Sequence, residues 1–487
     1  MTEIHYRSAA GLAGAIRAKE ISSLELLDHY LDRVERLNSK INAVVTLDAE
    51  QARARAKAAD EALAHGDEVG PLHGVPMTIK DSIETEGMRT TSGAPELAEH
   101  VPERDADTVA RLKAAGAIIF GKTNLPMYAM DFQAYNDVHG TTGNPWDPER
   151  TPGGSSGGAA AALAAGLTGF ELGSDIGGSI RNPAHFCGIY GIKPTYGTVP
   201  GRGHIPGPPG MLAETDIGML GPMGRSADDL DLGLDVLAAP SRQQAKAWRL
   251  ELPPPRRSAL REYRMAAWLD DQANPVDVEV REVLERAVEA IRGAGSDVAG
   301  PEAIPVSFGD ASRVFERLLV GAVSAGIPDP VISMAKEASS STPQADDEPP
   351  ILRNARAVCQ LHRDWLMTNE ERHRQRAAWA RFFDDRDIVL AATMPVAAFP
   401  HDHSDNSMST RTLTINGEQR PYGDATAWCG IFGVSYLPAA VAPVGRTKSG
   451  LPVGIQIVGP YLEDRTVVDV ARRIGEVVGG FEAPPGF

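Results

Sequence analysis

This chain of 487 residues has few cysteines, no surplus of basic charge and no long apolar run. Its three cysteines, Cys187, Cys359 and Cys429, are far apart, and so sparse and odd a set excludes a disulfide framework and a cysteine-rich metal site. Asp and Glu outnumber Lys and Arg by 65 to 48, which excludes nucleic acid or an anionic membrane as the main partner. The longest small-apolar run, Gly157–Phe170, is too short and too rich in Gly and Ala to span a bilayer.

The chain otherwise has the composition of an ordinary globular protein, with 42% apolar and 23% charged residues. Its first residues, Met1–Arg7, are polar and lack the apolar segment of a signal peptide. We therefore expect a folded cytoplasmic protein that does not bind a membrane.

Short β-type runs alternate with segments of helical periodicity along most of the chain. The pattern predicts strands at Val75–Ile79, Ala117–Phe120, Thr168–Leu172 and Ile388–Ala392, and helices at Asp107–Ala115, Gly157–Leu167 and Ala227–Leu237. Alternation of this kind is typical of an α/β fold, here with a single large mixed and mostly parallel sheet covered by helices.

We expect one domain spanning residues 1–487, because strand patterns occur on both sides of a Pro-rich stretch at 239–258. A Gly/Ser-rich core covers about 75–200. The Pro-rich stretch and a low-complexity segment at 336–350 are predicted to be loops inserted into this domain, the second of them mobile.

The stretch Gly116–Thr123 fits the phosphate-loop pattern G-x-x-x-x-G-K-[ST], which leaves a nucleotide-binding protein as one alternative. A phosphate loop follows a strand and precedes a helix, so that its N–H groups can surround the phosphate. Here Ile118–Phe120, in the middle of the pattern, has the character of a strand itself. The stretch therefore favours a buried strand that ends in a polar turn.

Three distant segments carry residues suited to acyl chemistry. Lys80 closes a β-type run in Gly74–Asp81, Ser155 lies in a Gly/Ser-rich stretch, and Ser179 lies in Gly173–Pro183. One predicted helix and one predicted strand separate the two serines, and that path can return Ser179 close to Ser155.

These segments closely resemble the amidase signature family of Ser–cis-Ser–Lys hydrolases. The match is carried by the core from Pro152 to Gly197 and by the flanking segments Gly121–Pro126, Asn144–Asp147 and Leu451–Gln456. The resemblance covers most of the chain. It implies an amidase: a hydrolase of carbon–nitrogen bonds in linear amides that needs neither a metal nor another cofactor.

The resemblance implies Ser179 as nucleophile, Ser155 as proton relay and Lys80 as base. A serine hydroxyl is a weak nucleophile that needs a base, and lysine can act as one only when it is neutral. A free lysine has a pKa of about 10.4, and burial lowers that value. The apolar run Val75–Ile79 before Lys80 is consistent with burial.

The resemblance further implies that backbone N–H groups of the second serine segment form the oxyanion hole, where glycine lets the backbone approach the substrate. The implied donors are Ile176, Gly177, Gly178 and Ser179. It also predicts a cis peptide bond between Ser155 and Ser156.

Residues that could contact the substrate are harder to identify from the sequence. The family commonly has an acidic residue where this chain has Met127, and an apolar side chain there suits an apolar substrate. The candidates are Met127, Tyr128, Tyr135 and Trp428, each with a core position as the alternative. We expect a small aryl or alkyl amide as substrate, with esters and carbamates as alternatives.

A second function remains open, because the family includes the glutaminase-type subunit of the tRNA-dependent amidotransferase. We do not find that subunit's Arg-Arg-rich glutamine-binding helix in Leu361–Phe383. No H-E-x-x-H spacing is present, and His401–His403, the one histidine cluster, predicts a surface loop. The expected partner is a small-molecule amide, and a homodimer is the assembly considered.

Overall fold

A computed structural model describes residues 3–205, 209–342, 348–404, 408 and 410–487. Helices in this part of the chain are α1 Ala9–Arg17, α2 Ser23–Leu37, α3 Ala49–His65, α4 Asp107–Ala114, α5 Gly157–Ala164, α6 Arg181–Cys187, α7 Ala227–Leu237, α8 Val278–Gly293, α9 Phe308–Val323, α10 Asp329–Ser341, α11 Pro350–Val358, α12 His362–Asp385, α13 Ala427–Gly433 and α14 Asp464–Val478. Its strands are β1 Val44–Leu47, β2 Pro76–Lys80, β3 Ile118–Thr123, β4 Tyr135–Asn136, β5 Gly140–Thr141, β6 Glu171–Asp175, β7 Tyr190–Lys193, β8 Met219–Gly224, β9 Arg264–Trp268, β10 Asp297–Ala299, β11 Ile388–Ala392, β12 Thr412–Ile415, β13 Glu418–Pro421, β14 Ala439–Arg446 and β15 Pro452–Val458.

A large sheet of eight strands in the order β10-β9-β11-β15-β14-β7-β8-β6 forms the centre of the molecule. The predicted α/β class and the mixed sheet are confirmed. Parallel neighbours are, however, confined to β10, β9 and β11, and the other five pairings are antiparallel. Part of the reason is the tight turn at 447–451, which returns the chain from β14 directly onto β15 as a hairpin, and a hairpin is necessarily antiparallel.

Lys80 does not lie in this sheet, as a single-sheet prediction implied, but at the end of β2 in a separate sheet of order β1-β3-β2. Side chains join the two sheets. The Thr78 N–H donates to Thr168 Oγ1 (2.9 Å), and the hydroxyls of Thr78 and Thr123 donate to Glu171 Oε1 (2.5 and 3.0 Å). These bonds fix the strand of Lys80 against β6, the edge strand of the large sheet.

The prediction of a loop over 336–350 is wrong for its first part, because α10 continues to Ser341. Ser339, Ser340 and Ser341 each donate a hydroxyl hydrogen bond to the carbonyl three residues earlier, which satisfies these side chains within the helix. Residues 343–347 lie outside the described residues. The Pro-rich stretch 239–258 contains a short 3₁₀ turn at Gln244–Lys246 and is otherwise without helix or strand.

The largest apolar cluster packs one face of the eight-stranded sheet against α8, α9, α12 and α14. Trp268, Trp379 and Trp428 belong to it and are buried. Within the described ranges, no helix has both the length and the apolar character needed to cross a membrane.

Candidate active site

Lys80 is fully buried where the two sheets meet, and its amine is surrounded by serine hydroxyls. Its Nζ lies 2.6 Å from Ser155 Oγ, 2.8 Å from Ser174 Oγ and 3.1 Å from Ser156 Oγ. The structure therefore brings together the predicted base and the predicted relay, which are 75 residues apart in sequence. It also adds two hydroxyls, those of Ser156 and Ser174, that the sequence analysis did not single out.

The environment of Lys80 changes its proton affinity. Burial lowers the pKa of Lys80 to about 7, because the ammonium form loses its hydration, and the carboxylates of Asp175 and Glu171 partly oppose this shift. An amine with that pKa is substantially neutral at pH 7, as a general base must be.

Ser155 lies just before α5, where the chain turns sharply. The cis peptide bond joins Gly154 to Ser155, so the predicted position between Ser155 and Ser156 is wrong by one bond. Gly154 packs directly on the backbone of residues 131–133, where a Cβ would lie 2.5–2.8 Å from backbone atoms and only glycine fits. Ser156 is fixed differently, because its N–H donates to the Ser179 carbonyl (3.0 Å).

Ser179 lies in the loop between β6 and α6 and is almost fully buried. The hydrogen bond from Ser156 to its carbonyl connects this loop to the segment that carries the relay serine. The lysine and both serine segments thus converge on one region of the molecule.

A buried ion pair holds the Ser179 loop in shape. The Arg181 guanidinium donates to both carboxylate oxygens of Asp175 (2.8 and 3.0 Å), and both side chains are fully buried. The same carboxylate accepts the backbone N–H groups of Gly178 (2.8 Å) and Ile180 (3.1 Å). These bonds and the guanidinium charge lower the pKa of Asp175 to about 2, so it is ionised at neutral pH.

The predicted oxyanion donors are consequently not equivalent. The N–H of Gly178 is directed to Asp175, which leaves those of Ile176, Gly177 and Ser179 as the candidates. Both glycines are closely packed: a Cβ on Gly177 would lie 3.1 Å from Phe315 Cζ and 3.6 Å from Thr426 Cγ2, and one on Gly178 would lie 3.1 Å from Cys429.

Comparison with known proteins agrees with this geometry. The family model named Amidase matches residues 25–468. The chain belongs to the amidase family. It is 32% identical to a glutamyl-tRNA(Gln) amidotransferase subunit from Heliobacterium modesticaldum over 98% of both chains. It is 33% identical to the indoleacetamide hydrolase of Bradyrhizobium diazoefficiens over 97% of this chain and 86% of that protein.

Among solved structures, a bacterial aryl acylamidase of the amidase signature enzymes superposes with a TM-score of 0.79. Its sequence is 26% identical, and the match covers 97% of this chain and 96% of the other. The protein is therefore an amidase, a hydrolase of carbon–nitrogen bonds in amides.

Two of the predicted substrate contacts of this amidase lie on a short turn at Met127–Ala129. The Met127 side chain is 49% exposed, and the Tyr128 hydroxyl donates to Glu96 (2.6 Å). Tyr135 follows in the same loop, and its ring stacks on His403 with centroids 3.8 Å apart. No hydrogen bond or ring contact connects these three side chains to Lys80 or either serine of the predicted triad within the described residues.

The fourth predicted contact, Trp428, lies in the core of the amidase. It is fully buried, its indole N–H donates to the Asn274 carbonyl (3.2 Å), and its ring packs edge-on against Phe308 and Trp268. Its position on α13 makes it a packing residue, the alternative that its apolar character left open.

The phosphate-loop pattern at Gly116–Thr123 does not form a phosphate loop. Residues Ile118–Thr123 are the buried strand β3, and Lys122 donates to the Ile83 carbonyl (2.5 Å) and the Thr85 hydroxyl (2.9 Å). A nucleotide could not reach this ammonium group, so the structure contradicts the nucleotide-binding alternative. Within the described parts of the chain, no three His, Cys, Asp or Glu side chains are grouped as metal ligands.

Proposed function

We propose that this amidase hydrolyses a small apolar carboxylic amide through an acyl-enzyme on Ser179, with Ser155 as relay and Lys80 as base. The observation that carries the proposal is the buried amine of Lys80 at 2.6 Å from the Ser155 hydroxyl. A pKa lowered to about 7 makes this amine available as a base at neutral pH.

The proposed reaction moves one proton along these residues. Neutral Lys80 takes the Ser155 hydroxyl proton while Ser155 takes that of Ser179, whose oxygen attacks the substrate carbonyl. Backbone N–H groups of the Ser179 loop hold the oxyanion. The relay then returns the proton to the leaving amine, and water hydrolyses the acyl-enzyme to the carboxylic acid.

An apolar acyl group is supported by the side chains next to the candidate oxyanion donors. Phe315 and the methyl group of Thr426 are the nearest to Gly177, and Cys429 is the nearest to Gly178. None of these three carries a charge at neutral pH, since burial raises the pKa of the Cys429 thiol to about 12. An aryl or alkyl amide suits such a wall, and an ester or carbamate of the same shape uses the same acyl chemistry.

The test is a screen of p-nitroanilides, aliphatic amides, p-nitrophenyl esters and carbamates with the parent and two variants. Ser179→Ala and Lys80→Met are expected to lower kcat/KM about 10³-fold or more on every substrate that the parent cleaves. Full activity of either variant would refute the proposed mechanism. Exclusive cleavage of charged amides by the parent would refute the apolar substrate.

A glutaminase subunit of an amidotransferase is the second candidate, because several curated relatives at 31–34% identity carry that name. Release of ammonia from glutamine, measured with and without added amidotransferase partner subunits, separates the two candidates. Glutamine turnover that depends on partner subunits supports the second, and anilide turnover by the isolated chain supports the first.

A further inference from the structure

Three hydroxyls surround the Lys80 amine, although the proposed mechanism uses only one of them. We infer that Ser174 is a positioning residue that accepts an N–H of Lys80 and thereby directs the amine toward Ser155. This inference rests on the proposed function, since it concerns how the base is oriented for that reaction.

Hydrogen-bond counting supports this role. A neutral amine has two N–H donors and one lone pair, so it can donate to only two of its three neighbours. Ser156 is one acceptor, because its own hydroxyl proton is directed to the Ser174 carbonyl (3.3 Å) while its oxygen accepts the Ser174 N–H (3.3 Å). If Ser155 is to give its proton to the lone pair, the remaining N–H must be accepted by Ser174 Oγ, at 2.8 Å.

The same arrangement suits the state that follows proton transfer. Once Lys80 has taken the proton, its ammonium has three N–H groups, and the oxygens of Ser155, Ser156 and Ser174 lie within 2.6–3.1 Å to accept them. A buried cationic N–H without an acceptor is costly, so losing one oxygen destabilises the ammonium more than the neutral amine.

Ser174 is held firmly enough to orient another group. It lies within β6, where it pairs with Leu220 of β8, and its side chain is nearly fully buried. The lysine lies on β2, so the Ser174 contact is also a link between the two sheets.

The other charged and titratable groups around the amine define what a pH experiment would report. The carboxylates of Asp175 and Glu171 on β6 favour the ammonium. His204, on the loop paired with Ile83, is affected in turn by the Lys80 charge, and burial lowers its pKa to about 3, so it stays neutral. A change at Ser174 leaves all three groups in place.

The experiment compares Ser174→Ala with Ser174→Thr, which retains the hydroxyl, and with Ser174→Val, which has the shape of threonine without it. The substrate is the p-nitroanilide that the parent cleaves best. We expect Ala and Val to lower kcat/KM about 10- to 100-fold and to move the midpoint of its rise with pH to lower values. We expect Thr to restore both within about threefold.

Ser82→Ala is the matched control, because Ser82 is buried two residues after Lys80 and its hydroxyl has no hydrogen-bond partner among the described residues. It should leave rate and midpoint unchanged. Parental rate and midpoint in Ser174→Ala, or equal losses in Thr and Val, would overturn the inference. Such a result beside inactive Ser179→Ala and Lys80→Met would leave the proposed function intact, whereas an active Ser179→Ala would overturn the function itself.

Discussion

At the scale of single residues, the reaction depends on the charge of Lys80. The neutral amine is the base, and its fraction grows as the pH rises through its pKa of about 7. We therefore expect kcat/KM for an uncharged anilide to rise with pH, with a midpoint near 7, and to level off above pH 8.

The matched variant for this prediction is Glu171→Gln, since the Glu171 carboxylate raises the pKa of Lys80 and its removal should move the midpoint to lower pH. The measurement is kcat/KM from pH 5 to 10 at constant ionic strength. A midpoint near 10, the value of an exposed lysine, would contradict a buried base.

Single residues also mark the limit of what the sequence could predict. Lys80, Ser155 and Ser179 could be identified because the glycine-rich segments around them form a specific pattern. Ser174 lies inside the same pattern, yet a serine in a strand carries no signal of its contact with a lysine 94 residues away. For Trp428, apolar character suits a pocket and a core equally, and only packing decides between them.

At the scale of elements, α9 and α13 together determine the surroundings of the Ser179 loop. The Phe315 ring on α9 packs against Gly430 on α13, where a Cβ would lie 2.3 Å from ring atoms, and the ring reaches Gly177. The position of this ring should therefore limit the size of the acyl group.

Two substitutions should move acyl-size preference in opposite directions. Phe315→Leu removes part of the ring and should raise the ratio of kcat/KM for benzoyl over acetyl p-nitroanilide about 10-fold. Gly430→Ala should push the ring toward Gly177 and lower that ratio. Phe432→Leu, an aromatic change on α13 in the main core, is the control that should leave the ratio unchanged. Equal effects of all three on both substrates would contradict the prediction.

Elements with strong local signals were predicted well, and those decided by tertiary contacts were not. The predicted helix Ala227–Leu237 and strand Ile388–Ala392 coincide with α7 and β11. The prediction for Thr168–Leu172 starts too early, because the strand begins only at Glu171, where it pairs with β8. The separate sheet of Lys80 could not be foreseen, since its link to the large sheet depends on the side chains of Thr78 and Glu171.

At the scale of the whole molecule, the junction between the two sheets makes stability depend on pH. Burial raises the pKa of Glu171 from 4.5 to about 7, so the folded state binds a proton more tightly than the unfolded chain does. The stability from this group is fully present below pH 4.5 and is lost as the pH rises through 7. Over that window the loss amounts to roughly 3 kcal/mol.

The variant Glu171→Gln carries no such charge, while its amide oxygen can still accept from Thr78 and Thr123. We expect the free energy of unfolding of this variant, relative to the parent, to be higher at pH 8 than at pH 5, whatever constant offset the substitution adds. Urea unfolding at both pH values measures this difference. A difference that stays the same or falls between pH 5 and pH 8 would contradict the prediction.

The division of the reactive groups between two sheets also has a consequence for the life of the chain. During synthesis the lysine leaves the ribosome 75 residues ahead of the first serine, and it is then an ordinary hydrated cation with no catalytic power. It becomes a base only after the later strands have dried its surroundings. An unfinished or partly opened chain is therefore inert, and the enzyme acquires its reactivity in the same event that completes its fold.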